Sequence, residues 1–242
     1  STELVNLNDM RSERVKLKFT KMHGCKNDYI YFNCFHQSIN NPEGLSVSLS
    51  DRHLGIGGDG VVLICPSDVA DAKMRMFNLD GSEGKMCGNA IRCVGKYLWD
   101  SRAVRKTVIT VETLSGVKTL TLRTDGDAAS SVSVDMGYAE FDPEKIPVLS
   151  SEKMIGSEIA VGGMRVRVTA LSVGNPHAVV FCDDIASLDL EKIGPAFEHH
   201  PLFPERVNTE FVRIVSRTEI EMRVWERGSG ETWACGTGAC AA

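Results

Sequence analysis

No apolar run in this chain approaches the roughly 20 residues needed to cross a bilayer, so a membrane-spanning helix is not expected. Positive charge is not in excess either: 27 Lys and Arg stand against 32 Asp and Glu, leaving a net charge of −5 and a pI near 5.7. Without a basic stripe, nucleic acid is not an expected partner. The opening STELVNLNDMRSER is polar and lacks the apolar h-region of a signal peptide, so residues 1–14 read as a tail outside the fold. None of the eight cysteines forms a C-x-x-C pair. The spacings Cys87-x5-Cys93 and Cys235-x4-Cys240 do not fit zinc ligation, and no metal is expected. Such usage suits a reducing cytosol, or a plastid if the source is a plant whose transit peptide has been removed. Cys34, Cys65 and Cys182 read as buried small apolar residues. No lysine stands in a setting that reads as a Schiff-base site.

What is present is ordinary globular material, 43% hydrophobic and 24% charged over 242 residues, enough for two domains of about 100 to 150 residues. The organising feature is an internal repeat. Met74 to Asn89 (MRMFNLDGSEGKMCGN) lies over Met222 to Thr237 (MRVWERGSGETWACGT) at an offset of 148 residues. Five of the sixteen positions are identical: Met74/Met222, Arg75/Arg223, Glu83/Glu231, Cys87/Cys235 and Gly88/Gly236. The same offset pairs Asn27 with Asn175, each just ahead of an apolar strand-like run. It also pairs Gly60 with Asn208 and Asn78 with Glu226. The chain reads as two copies of one fold, residues 15–135 and 136–242, joined near Gly137-Tyr138-Ala139-Glu140-Phe141-Asp142-Pro143.

In chain order, Val15, Leu17 and Phe19 alternate with polar residues as in a half-buried strand. The turn His23 to Asp28 leads to a second strand from Tyr29. Pro42 to His53 reads as a helix running into Gly55-Ile56-Gly57-Gly58-Asp59-Gly60. Those six residues match the dinucleotide fingerprint by letter, but that motif needs a strand before the glycines and a helix after them. The order here is reversed, so the glycines read as a tight turn whose backbone can approach a ligand. Gly88 to Trp99 is apolar nearly all round and belongs inside a domain. Three strand-like runs, TVITVET, VKTLTLRT and SVSVDM, close the first half. In the second, strands are expected at Met164 to Leu171, at AVVFC, at Val207 to Val215 and at Glu219 to Glu226. A capped helix is expected after Asp183-Asp184.

Each Cys-Gly stands where a loop becomes a helix, so its sulfur is expected near unpaired N–H groups and the positive end of a helix dipole. That setting lowers a thiol from its ordinary pKa of about 8.5. The N–H groups of Gly88, Asn89, Gly236 and Thr237 read as two anion sites for one carboxylate, with a thiol on either side. Such chemistry would take a proton from one face of a carbon and return one to the other, with no pyridoxal phosphate.

The strings KMHGCKNDY, DRHLGIGGDG, NLDGSEGKMCGNAIRC, GNPHAVVF, FPERVNTEF and ERGSGETWACGTGACAA closely resemble the diaminopimelate epimerase family, from Lys21 to Ala242. The resemblance implies a cofactor-independent isomerase that interconverts LL- and meso-2,6-diaminopimelate in lysine and cell-wall precursor biosynthesis. It assigns the acid/base roles to Cys87 and Cys235, with Glu226 and His177 as polar neighbours that set their protonation. Asn27, Asn78, Asn175, Asn208 and Arg227 would hold the substrate's amino and carboxylate groups, Gly88-Asn89 and Gly236-Thr237 adding backbone donors. Some members carry Gln at the position of Gly60, and Cys25-Lys26 replaces a commoner Leu-Gly. The implied partner is a small-molecule substrate, with a homodimer as the assembly the resemblance allows.

Residue by residue, blander readings stand beside these. His177 after Asn-Pro could be a turn residue, Glu226-Arg227 a solvated ion pair, and the asparagines turn formers. A proline-type racemase or dehydratase on the same scaffold would also use two opposed thiols, and a redox-switched binding protein would join them as a disulfide. The fold expected is mixed α/β: two pseudo-symmetric domains, each a curved mixed sheet around a central helix beginning at Cys87 or Cys235, with the site in the cleft between. Forty-eight residues carry the chain from Cys87 to Asp135, whereas seven follow Cys235. By repeat logic about 41 counterparts are absent, and the expectation is that these 242 residues are part of a longer functional protein.

Overall fold

The computed structural model describes residues 2–5, by backbone only, and residues 16–242. Contacts between Cα atoms divide the chain into two units, Ser1–Asp135 and Met136–Ala242.

The first unit runs β1 (Thr2–Val5), β2 (Lys16–Gly24), β3 (Asn27–Asn33), α1 (Pro42–Ser50), β4 (Gly60–Cys65), β5 (Ala72–Asn78), β6 (Glu83–Gly84), α2 (Gly88–Asp100), β7 (Val108–Thr113), β8 (Gly116–Asp125) and β9 (Ala128–Val134). Its described strands form one sheet in the order β1-β2-β3-β4-β5-β7-β8-β9, with β6 paired to β5. The pairs β3/β4 and β5/β7 are parallel and the others antiparallel, which makes the sheet mixed. Helix α2 touches β2 and β3 towards one edge and β8 and β9 at the other, so the sheet curls around it. The face of α2 carrying Ala90, Ile91, Val94 and Leu98 is fully buried, while Lys96 pairs with Asp100 in solvent. The helix is therefore amphipathic rather than apolar all round. Helix α1 covers the opposite face of the sheet with Leu45 and Leu49, over Ile30, Phe32, Val61 and Leu63.

Two expectations change here. Thr2–Val5 pairs antiparallel with Lys16–Phe19 rather than trailing outside the fold, because β2 otherwise presents an open edge that a short extended segment can satisfy; the rest of the supposed tail lies outside the described residues. The helix expected to reach His53 ends at Ser50, where Asp51 turns back to accept from the N–H groups of His53 and Leu54. Between β2 and β3 the chain reverses through Cys25 and Lys26 alone, at φ 53° and 70°. A two-residue hairpin turn demands positive φ at both positions. Neither residue is glycine, and each bears a strain of about 1–2 kcal/mol.

The second unit runs through a 3-10 turn at Pro143–Lys145 to β10 (Ser157–Val161), β11 (Met164–Ser172), β12 (Pro176–Phe181), α3 (Leu190–Glu198), β13 (Asn208–Ser216), β14 (Glu219–Glu226), β15 (Gly230–Thr232) and α4 (Gly236–Ala241). The strands lie in sequence order in one described sheet, with β12/β13 parallel. The 148-residue offset carries β2 onto β11, α1 onto α3, β4 onto the start of β13 and β6 onto the end of β15. The repeat is thus structural as well as textual. Helix α3 starts after Asp189, whose side chain accepts from Lys192 N–H, and not after Asp183-Asp184. Asp184 instead closes a turn on Ala186 and Ser187. The larger core of this unit gathers on the α3 face, around Phe197, Phe211 and Trp225. The opposite face carries Leu171, Val173, Val179 and Val212, with Ala241 of α4 against them.

Candidate active site

In the first unit, Cys87 is the N-cap of α2, its extended backbone (φ −138°, ψ 117°) letting the sulfur accept from Ala90 N–H at 3.5 Å. Asn27, at the start of β3, presents Oδ1 to the thiol at 3.5 Å. Its orientation has a cause. Asn27 Nδ2 donates to Asp59 Oδ2 at 2.8 Å, so the carbonyl end of the amide faces the cysteine. Asp59 is held in turn by Asp28 N–H at 3.0 Å and by Arg52 at 3.0 Å. The glycine turn therefore serves to deliver Asp59 beneath the hairpin tip. At Gly60, with φ 152°, a Cβ would run into the Phe77 carbonyl, so a side chain such as that of Gln has no place here.

Arg52 and Lys21 converge on Asp28 at 2.7 and 2.6 Å. Burial alone would raise this carboxyl, but their hydrogen bonds and charges more than offset it and bring the Asp28 pKa down to about 2. Gly88 and Asn89 open α2, and Arg92 ties down both, donating to Gly88 O at 2.9 Å and Asn89 Oδ1 at 2.6 Å. Asn78, at the end of β5, donates to Ser82 Oγ across the next turn, which fits the turn-former reading.

In the second unit, Cys235 caps α4 and accepts from Gly238 N–H at 3.3 Å. His177 lies inside strand β12 and is fully buried, not in a turn. Its Nδ1 is 2.7 Å from Glu210 Oε1 and its Nε2 is 2.9 Å from Asn175 Oδ1. Asn175 Nδ2 donates to Thr237 Oγ1 at 3.2 Å, and that oxygen is 3.4 Å from Cys235 Sγ. A continuous hydrogen-bonded path thus leads from a buried carboxylate to the thiol. Glu226 accepts from the Thr232 hydroxyl, and its charge acts on Cys235. The solvated Glu226-Arg227 pair does not form among the described contacts: Arg227 Nη1 donates to Glu205 O, and its backbone N–H donates to Asn208 Oδ1 at 2.8 Å. Asn208, also buried, donates to Pro176 O.

Electrostatically the Cys235 setting differs from the expectation. Burial pushes its thiol above the ordinary range, the Glu226 charge adds to this, and the Thr237 and Gly238 donors do not offset it. Burial raises Glu226 as well. A helix N-terminus lowers a thiol only where desolvation and a neighbouring carboxylate do not oppose it.

The residue-by-residue reading misses three members of this constellation. Tyr29, almost fully buried, lies beside Cys87 and Asn27, and burial, then Cys87, pushes its hydroxyl pKa well up. The repeat offset carries Tyr29 onto His177, a pairing that exposes its role despite the change of residue type. Glu210 and Asp59 act through His177 and Asn27, and their repeat partners Val62 and Val207 leave no matching signal.

The same fold occurs in the solved structures of a hydroxyproline epimerase from Agrobacterium vitis (TM-score 0.60, 16% identity, covering 91% of this chain and 73% of that one). It also occurs in a methylitaconate-delta-isomerase (TM-score 0.59, 15% identity, 93% and 79%). The profile of the diaminopimelate epimerase family matches residues 19–141 and 169–242. Diaminopimelate epimerase from Acetivibrio thermocellus is 56% identical over 226 residues, 93% of this chain and 81% of that protein. The enzyme of the same name from Methanococcus maripaludis is 53% identical, covering 93% and 82%. The chain belongs to the diaminopimelate epimerase family.

Proposed function

We propose that the chain is an isomerase that inverts the configuration at the α carbon of diaminopimelate, interconverting the LL and meso forms with Cys87 and Cys235 as its two acid/base groups. The observation that carries this reading is the recurrence, in two copies of one fold, of a cysteine at the N-cap of a helix, embedded in family motifs over most of the chain. One thiolate removes the α proton and the other thiol returns a proton to the opposite face, so a single enzyme serves both directions. Burial favours Cys235 in its acid form at rest, which makes it the proton donor at the start of one direction. Glu226, whose charge acts on that thiol, receives its proton when the reaction runs the other way.

The backbone donors of Gly88, Asn89, Gly236 and Thr237 stabilise the charge that develops on the substrate carboxylate. Asn27, Asn175, Asn208 and Arg227 hold the amino and carboxylate groups. No organic cofactor is required by this scheme, and among the described residues no group of three His, Cys, Asp or Glu side chains is placed to hold a metal. In a cell the reaction would supply meso-diaminopimelate for lysine and cell-wall precursor synthesis. A coupled assay on purified Cys87→Ser and Cys235→Ser variants tests the proposal. Each should lose epimerisation by at least about a thousandfold, since no remaining group replaces a missing acid or base. Activity within tenfold of wild type in either variant would sink the two-thiol scheme.

A further inference from the structure

Cys34 and Cys65, read from sequence as buried small apolar residues, are both partly exposed free thiols. Strands β3 and β4 are parallel, with Asn33 opposite Ile64, and Cys34 N–H extends the ladder to Ile64 O at 2.8 Å. One step further, Cys34 stands beside Cys65. The two share a sheet face with Phe32 and Leu63 at the rim of a small apolar cluster. Adjacent strands lie about 4.8 Å apart, within the roughly 4.4–6.8 Å between Cα atoms that a disulfide spans. The two thiols are close enough to perturb one another's ionisation. On the next strand, Lys73 is opposite Cys65 and Arg75 is opposite Leu63, so two cations flank Cys65 on its own face. Glu83, paired with Arg75 at 2.7 Å, and Glu112, paired with Lys73 at 2.9 Å, are the opposing charges beside them.

We propose that Cys34 and Cys65 are a dithiol modification site, separate from the two epimerase thiols, that reacts with low-molecular-weight disulfides. The Cys65 thiolate attacks one sulfur of the disulfide, forming a mixed disulfide and expelling one thiolate. Cys34, after giving its proton to solvent, attacks the Cys65 sulfur and displaces the second. Two protein thiols are oxidised by two electrons, and the reagent is reduced to two thiols that take up both protons. The order follows from the surroundings: the neighbouring Cys34 thiol and then the flanking Arg75 and Lys73 charges favour the Cys65 thiolate against burial and the Glu83 charge, whereas Cys65 and burial drive Cys34 the other way. Nucleophilic attack needs the thiolate.

The test is peptide mapping by mass spectrometry after exposing the full chain to glutathione disulfide near neutral pH. Wild type should give a Cys34-Cys65 linked peptide. Cys34→Ser should stop at glutathionylated Cys65, and Cys65→Ser should label Cys34 about tenfold more slowly or less. Limiting alkylation of the wild type should show the same ranking without relying on variant folding. Absence of the linked peptide while Cys87 or Cys235 is modified, or equal rates at Cys34 and Cys65, would overturn the proposal.

Discussion

Glu210 and His177 are buried together with no exposure to solvent, carboxylate Oε1 lying 2.7 Å from imidazole Nδ1. The second carboxylate oxygen has no hydrogen-bond partner among the described residues, and a Cβ on Gly238 would lie 2.5 Å from Oε1. Buried polar atoms left unpaired are costly, so the carboxylate is retained for what it does to the ring. It fixes the orientation from which His177 engages Asn175 and, through Thr237, Cys235.

Glu210→Ala should therefore destabilise the fold by on the order of 3 kcal/mol, because it strands a buried imidazole. Urea denaturation measures this. Glu210→Gln keeps an acceptor and should fold, with kcat reduced and KM little changed, as expected of a residue acting through another. Unchanged kcat in that variant would show that the pair is merely structural.

Tyr29→Phe removes a buried hydroxyl beside Cys87 while keeping the ring that fills the core. A hydroxyl that donates to the Cys87 thiolate during the reaction would contribute about 1.5–3 kcal/mol, or roughly 10- to 100-fold, lost in the variant. The loss should fall on kcat rather than KM. Wild-type kcat in a well-folded variant would remove Tyr29 from the acid/base machinery.

Asp28 gives the acid limb of stability. Its folded pKa of about 2 lies below the 3.8 of an unperturbed aspartate, so its contribution is fully present above pH 4 and is lost as pH falls through 2. The shift corresponds to roughly 2 kcal/mol. Denaturation midpoints of wild type should fall across that window, and those of Asp28→Asn should fall by correspondingly less. Parallel curves for the two proteins would contradict the assignment to Lys21 and Arg52.

Much of this was legible in the sequence because the repeat keeps residue types where chemistry is shared: Cys87 with Cys235, Asn27 with Asn175. The offset also predicts elements that periodicity alone places poorly, since it carries the Pro42–Ser50 helix onto Leu190–Glu198, residue for residue. What was not legible depends on three-dimensional surroundings. Tyr29 and His177 occupy equivalent places with different chemistry, Asp59 works across 32 residues on Asn27, and no local pattern marks either. The lowering expected at the Cys235 thiol fails because a helix N-terminus is visible in sequence, whereas burial beside Glu226 is not. Strand β1 has no sequence signature because four residues against an open edge carry no period of their own.

The central claim is that two different groups handle the proton on the two faces of one carbon. The most direct measurement follows solvent deuterium during the first turnovers of LL- and of meso-diaminopimelate on the full chain. A thiol acid exchanges with solvent before it delivers its proton, while the substrate's own proton leaves on the other thiol. Deuterium should therefore appear in product while the remaining substrate is still unlabelled, in both directions. Equal early labelling of substrate and product would mean that one base serves both faces, and would contradict the account.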